Sequence, residues 1–254
     1  MSTSSGFGNG FGTNLGNDGF GSGFSAPAAV LTTAGLVLRY EIGDPASYGG
    51  SGATVTDLAG NSAATLYNGP TYASGYLTFN GTNQTLITNT SLASKVTTDI
   101  TSIVIWAYPT DNGVLLSEVG SNSLPAAAAW HNSTMEMVAG TMKFGMWNGG
   151  SISTVVSSVS TPLNAWYHFA VVYDGTKLNA YVNGAVAGTN TFARQNPIEG
   201  GAGIHYAIAA ADGTNMGDGS YAAMRLGQFL VYDRALSADE VARNFSAGRG
   251  AYGV

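Results

Sequence analysis

Trp166 to Gly184, WYHFAVVYDGTKLNAYVNG, constrains this chain more than any other stretch. The run Trp166–Tyr173 is aromatic and β-branched, as a strand buried on at least one face requires. Asp174–Gly175 supplies the positive-φ chemistry that reverses a hairpin. Leu178–Val182 then alternates and stops at Asn183–Gly184, a second hairpin signal. Two such turns about nine residues apart predict a β-meander, a fold unit that needs neighbouring strands to bury its faces.

The rest of the chain after residue 34 is written in the same material. Strands are expected at Leu36–Ile42, within Val55–Asn61 (which ends in a Gly-Asn turn), and at Thr65–Tyr67, Tyr76–Phe79, Gln84–Ile87, Ile100–Tyr108, Val114–Val119, Met135–Val138, Thr141–Trp147, Leu178–Val182, Ala207–Ala210 and Ala222–Tyr232. Gly-Asn, Asn-Gly and Ala-Gly pairs punctuate them. Ala126–Trp130 reads equally as a strand or one helical turn. Many short strands with frequent turns indicate a sandwich or barrel. One helix signal stands out: Ser237-Ala238-Asp239-Glu240 is a capping box, Val241 and Phe245 share a face, and Gly248 is expected to stop the helix.

Composition bounds the function. The 254 residues include 36 glycines, 9% are charged and the net charge is −6. An ordinary domain is about 25% charged, so the surface is expected to be rich in Ser, Thr, Asn and Gly or covered by neighbours. The nine Lys and Arg are scattered without a cluster, which argues against a nucleic-acid partner. There is no cysteine, and therefore no disulfide scaffold or thiolate metal site. No apolar run approaches the roughly 20 residues of a membrane helix, and no secretory signal is expected at the N-terminus.

Residues 1–34 form a separate region. Phe7, Phe11, Phe20 and Phe24 each sit beside glycine, with Asn and Ser between them. Such a segment cannot bury enough surface alone to offset its backbone entropy. It reads as a flexible tail or as an arm whose phenylalanines dock on a partner. Residues 35–254 are expected to form the folded domain.

Four segments of that domain resemble the concanavalin A-like lectin/glucanase superfamily, in its laminin-G-like branch. Leu77–Asn83 is similar to an early "FDG-N" strand and turn. Thr101–Thr110 is similar to a "T-I-x-x-W-V-K-P" strand, Trp166–Gly184 to a "W-H-H-V-A-V-x-Y-D-G … Y-V-N-G" core, and Leu226–Phe245 to a closing strand followed by "Y-x-R-A-L-S-x-x-E-V". They occur in the family's order. The resemblance implies an all-β, two-sheet antiparallel jelly-roll with one short C-terminal helix. The opening, Gly35 to Tyr72, further resembles a variant met in structural proteins of tailed bacteriophages. It implies a non-enzymatic virion protein, capsid-decorating or tail-associated, held to other virion proteins by its N-terminal arm and expected to be a symmetric homo-oligomer. The alternative is a lectin-like domain that recognises host or matrix glycans outside the cell.

Catalysis is not expected. A retaining glycosidase needs two carboxylates about 5–5.5 Å apart. Glucanase relatives supply them from an E-x-D-x-x-E strand that this chain lacks. Glu118, Glu136 and Glu199 are isolated in sequence, and Asp57 and Asp174 read as turn residues. Calcium is the one ion the oxygen-rich loops could hold. Asp111–Asn112 and the loop carrying Asp212, Asn215 and Asp218 resemble the two segments from which pentraxin-like relatives take calcium ligands. The plainer reading of both is turn formation. For a glycan, Tyr72, Trp130, Trp147 and Tyr221 are the aromatic candidates near loops, while Trp106 and Trp166 are assigned to the core.

Overall fold

A computed structural model describes residues 29–122, 131–195, 203–210 and 221–254. Among them the chain forms, in order, β1 (Leu36–Glu41), β2 (Thr54–Val55), β3 (Ala64–Tyr67), β4 (Thr71–Ala73), β5 (Tyr76–Asn80), β6 (Thr85–Thr88), β7 (Thr101–Pro109), β8 (Gly113–Val119), β9 (His131–Val138), β10 (Thr141–Trp147), β11 (Ile152–Val156), β12 (Tyr167–Tyr173), β13 (Lys177–Val182), β14 (Ala185–Thr191), β15 (His205–Ile208), β16 (Ala223–Tyr232) and helix α1 (Ala238–Tyr252). The expected segment at Ala126–Trp130 falls outside the described residues.

Two antiparallel sheets pack face to face. The first runs β14-β13-β12-β7-β16-β5-β4, and β1 pairs with the second half of β16. The second runs β11-β10-β9-β8-β15-β6-β3-β2. The expected meander is β12-β13-β14. Val171 faces Ala180 across its first pair, and Asn183 and Gly184 take φ of 50° and 79° to turn the second. The two-residue period divides each strand between two environments. On β7, Ile103, Ile105 and Ala107 enter the core between the sheets, joined by Phe169, Phe229, Phe144 and Tyr206. Val104 points the other way, into a second cluster with Ala170, Val172, Leu230, Tyr232 and Val241.

That second cluster exists because α1 lies across the outer face of the first sheet. Its capping box is formed: Ser237 Oγ accepts from the Glu240 amide at 3.2 Å, and Glu240 Oε2 accepts from the Ser237 amide at 2.9 Å. The helix does not stop at Gly248. It continues to Tyr252 and ends on Gly253, at φ 70°. Gly248 is instead a packing glycine, pressed against the Trp106 indole. Asp57 and Asp174 do organise turns. The Asp57 carboxylate accepts from the amides of Arg39, Ala59, Asn61 and Ser62, and Asp174 Oδ1 from those of Thr176 and Lys177. Among the described residues, no helix is long and apolar enough to cross a membrane.

Candidate functional site

Where α1 ends, the outer face of the first sheet emerges from beneath it. The positions that alternate with the core now carry a connected aromatic group: Tyr76 on β5, Tyr108 on β7 and Trp166 just before β12. Trp166 meets Tyr76 and Tyr108 edge-on, with ring centroids 5.8 and 5.6 Å away. Tyr252, the last helical residue, lies 4.7 Å from Trp166 and stacks 4.5 Å from Trp106. Trp106 is fully buried, whereas Tyr76, Tyr108, Trp166 and Tyr252 are half-buried. Arg225 on β16 adds a cation, its Cζ 4.4 Å from the Tyr108 ring centroid and 5.0 Å from that of Tyr76.

Local sequence explains this placement. Ser74 and Gly75 adopt φ of 53° and 83°, closing a two-residue turn that starts β5 at Tyr76. At Gly227 the β16 register shifts, and a β-carbon there would collide with the Tyr252 ring, so this glycine seats the end of the helix. The result is a cleft of about 650 Å³ with Tyr76, Trp166 and Tyr252 on its wall and Glu41, Asp44 and Ser74 beside them. Glu41 Oε2 accepts from Gln228 Nε2 at 2.6 Å and from Arg39 at 3.5 Å. Asp44 Oδ1 accepts from the Ala46 amide at 2.9 Å. Burial pushes the Tyr252 hydroxyl well up, and the Glu41 charge adds to it, so the group stays protonated. Ring faces beside fixed hydrogen-bonding groups suit a ligand with an apolar face and a hydroxylated edge.

The aromatic residues singled out from the sequence lie elsewhere. Tyr72, on β4 of the first sheet, packs edge-on against Tyr48 at 5.3 Å. Trp147 ends β10 of the second sheet and donates from Nε1 to Gln195 Oε1 at 3.3 Å. Tyr221 makes an isolated parallel bridge with Val114. Trp130 lies outside the described residues, as do Phe7, Phe11, Phe20 and Phe24. Trp166 is not a core residue like Trp106. It precedes its strand and, of the helix, meets only the last residue, Tyr252, which leaves it half-buried. The signal was present in the parity: Tyr76, Tyr108 and Trp166 each flank a core residue (Leu77, Ala107, Tyr167) and so point outward.

Of the candidate calcium ligands, Asp111 and Asn112 form the exposed β7–β8 turn. Asp111 Oδ1 accepts from the Asn112 amide at 2.7 Å, and Asn112 Oδ1 from the Gly140 amide at 3.0 Å. Asp212, Asn215 and Asp218 lie outside the described residues, although Tyr221 returns the chain beside this turn. Among the described residues, no three His, Cys, Asp or Glu side chains gather closely enough to hold a metal ion. Glu118, isolated in sequence, is buried and paired with Arg194 at 2.6 Å.

The model of the concanavalin A-like lectin/glucanases superfamily matches residues 75–242. Among solved structures, Trypanosoma rangeli sialidase bound to 2,3-difluorosialic acid superimposes with a TM-score of 0.62 at 17% identity, over 88% of this chain and 35% of the sialidase. The binding domain of Paraclostridial mosquitocidal protein 1 superimposes with a TM-score of 0.57 at 17% identity, over 83% of this chain and 52% of that domain. This chain therefore spans about a third of the sialidase and about half of the toxin domain. These likenesses concern the fold. No sequence among the curated proteins matches.

Proposed function

Because this chain belongs to the concanavalin A-like lectin/glucanase superfamily, we propose that it is a non-enzymatic recognition module that binds a glycan in the cleft at the end of α1. The observation that carries this reading is the half-buried Trp166, flanked by Tyr76 and Tyr252 and facing fixed polar groups across a 650 Å³ cleft. A sugar ring would stack on the indole and place its hydroxyls against Glu41, Asp44 and Ser74. The two carboxylates support binding over hydrolysis, since each is engaged in holding local structure through Gln228, Arg39 or the Ala46 amide. The test is a glycan array probed with the full chain and with Trp166→Ala. Binding that is lost in a variant with unchanged unfolding supports the reading, and binding that persists overturns it.

A second reading concerns where the module works. We propose that it is carried on a virus particle, of the tailed-phage type, through residues 1–34, and that the particle repeats it as a symmetric oligomer. The root of that arm is fastened: the Thr32 amide donates to Asn244 Oδ1 at 2.9 Å, and Tyr232 Oη donates to the Thr32 carbonyl at 2.9 Å. An arm that leaves from a fixed point can orient the domain on a larger body. Removing residues 1–28 is expected to leave the domain folded and abolish co-sedimentation with particles. Unchanged co-sedimentation would overturn this second reading.

A further inference from the structure

The glycan-binding reading leaves Arg225 unexplained. Arg39, Arg194 and Arg234 each face a carboxylate, at 3.5, 2.6 and 2.6 Å from Glu41, Glu118 and Glu240. Arg225 faces none. Among the described residues its guanidinium makes no ion pair and no hydrogen bond, and its contacts are the rings of Tyr76 and Tyr108. Other cations, Arg243 and Arg249 among them, also form no ion pair among the described residues, so what sets Arg225 apart is its place over two rings of the platform beside the candidate cleft.

The chemistry of the pairing matters. A guanidinium lying over aromatic rings keeps its attraction to their faces and loses little of its hydrogen-bonding capacity, which lies in the plane of the group. The two tyrosines restrict its position, so less side-chain entropy remains to be lost when a ligand binds. A planar fork of donors matches a carboxylate or a sulfate in two parallel bonds. Through Tyr76 and Tyr108, Arg225 is also tied to Trp166, since both tyrosines touch the indole. A single sugar residue could therefore stack on Trp166 while the acidic group of that residue, or of its neighbour, meets Arg225.

Resting on the glycan-binding reading, we propose that Arg225 makes this platform selective for anionic sugars, those carrying a carboxylate or a sulfate. The shared chemistry is a delocalised oxyanion on a saccharide. The experiment is calorimetric titration of the full chain with three oligosaccharides of one length: a hexuronate oligomer, a sulfated hexose oligomer and the neutral hexose oligomer. Wild type, Arg225→Gln, Arg225→Lys and Trp166→Ala are compared, after thermal unfolding confirms that each is folded.

The expected result is that one or both anionic oligomers bind wild type at least tenfold more tightly than the neutral one. Arg225→Gln should remove that preference, and Arg225→Lys should restore it only in part, because the ammonium keeps the charge and loses the fork. The hexuronate and sulfate arms then say which oxyanion is recognised. If Arg225→Gln binds the anionic oligomers as wild type does, the role of Arg225 is overturned, while loss of binding in Trp166→Ala would still uphold the cleft. If Trp166→Ala binds like wild type, the cleft itself is overturned. If wild type binds none of the three, both proposals fall.

Discussion

Gly248 lies directly on the Trp106 indole: a β-carbon at this helix position would collide with Nε1 and stand 2.9 Å from Cε2. The indole is fully buried and stacks on Phe245 at 5.8 Å and Tyr252 at 4.5 Å, so it has no room to retreat. Helix propensity alone favours alanine over glycine by about 1 kcal/mol. Overpacking a filled core costs ~1–3 kcal/mol, and here the obstacle is a rigid ring. Gly248→Ala is therefore expected to lower stability in urea unfolding despite its better propensity. A variant more stable than wild type would show that the helix can lift off the sheet at little cost.

His168 sits beneath the same helix, fully buried, with its ring 5.3 Å from Trp106 and 5.9 Å from Phe245. Among the described residues neither ring nitrogen has a hydrogen-bond partner, and burial holds the imidazole down to about 3. The unfolded chain therefore takes up this proton near pH 6.5, while the folded chain resists until about 3. Stability from His168 is complete above pH 6.5 and is lost as pH falls toward 3, by up to about 1.4 kcal/mol per pH unit. His205, also lowered by burial, contributes with the same sign. Glu240, held down to about 2 by Arg234, adds its own loss only below about pH 4.5. Urea midpoints at pH 7.5, 6 and 5 should fall in wild type. They should fall less in His168→Leu, which keeps only the His205 share. Parallel decline of the two would remove His168 as the cause.

These two residues also mark how far the sequence could be read. The meander was legible because Trp166–Tyr173 is an unbroken aromatic and β-branched run, Leu178–Val182 alternates, and Asp-Gly and Asn-Gly bound them. The helix start was legible because a capping box is a local chemical code. Gly248 was misread as a stop, since a glycine that ends a helix and one that admits a neighbouring ring look alike until the ring is located. The edge strand β14 (AVAGTNT) went unread because only Ala187 of its residues is buried. The platform depends on where the helix ends over the sheet. Tyr76, Tyr108, Trp166 and Arg225 come from four segments, and the parity that points them outward does not say which of them the helix leaves uncovered.

A third test concerns the charge buried between the sheets. Arg194 donates from Nη2 to Glu118 Oε2 at 2.6 Å and from Nη1 to the Asp99 carbonyl at 2.8 Å, and Tyr206 Oη donates to Glu118 Oε1 at 3.3 Å. Neither charged side chain reaches solvent. Removing one partner strands the other charge, which typically costs ~3–5 kcal/mol, whereas replacing both by apolar residues is often nearly neutral. Arg194→Met and Glu118→Leu are each expected to be severely destabilised, and the double variant should recover much of the loss. Additive losses in denaturant unfolding would show that the two charges do not act as a pair.

The last prediction concerns the fastening of the N-terminal arm. Asn244 is buried in the middle of α1 and uses its whole amide: Oδ1 accepts from the Thr32 amide at 2.9 Å, and Nδ2 donates to Tyr232 Oη at 3.0 Å. Tyr232 closes the triangle on the Thr32 carbonyl. Burial pushes its hydroxyl up to about 12, so it remains a donor through the neutral range. Asn244→Ala leaves a buried amide and a hydroxyl short of partners, at a cost of roughly 1–3 kcal/mol. Truncation should separate the clamp from the arm. Loss of residues 1–28 is expected to leave the unfolding midpoint unchanged. Loss of 1–34 removes Leu31 and Thr32 from the helix and should lower the midpoint by a similar amount to Asn244→Ala. Equal midpoints for the two truncations would show that residues 29–34 add nothing to the domain.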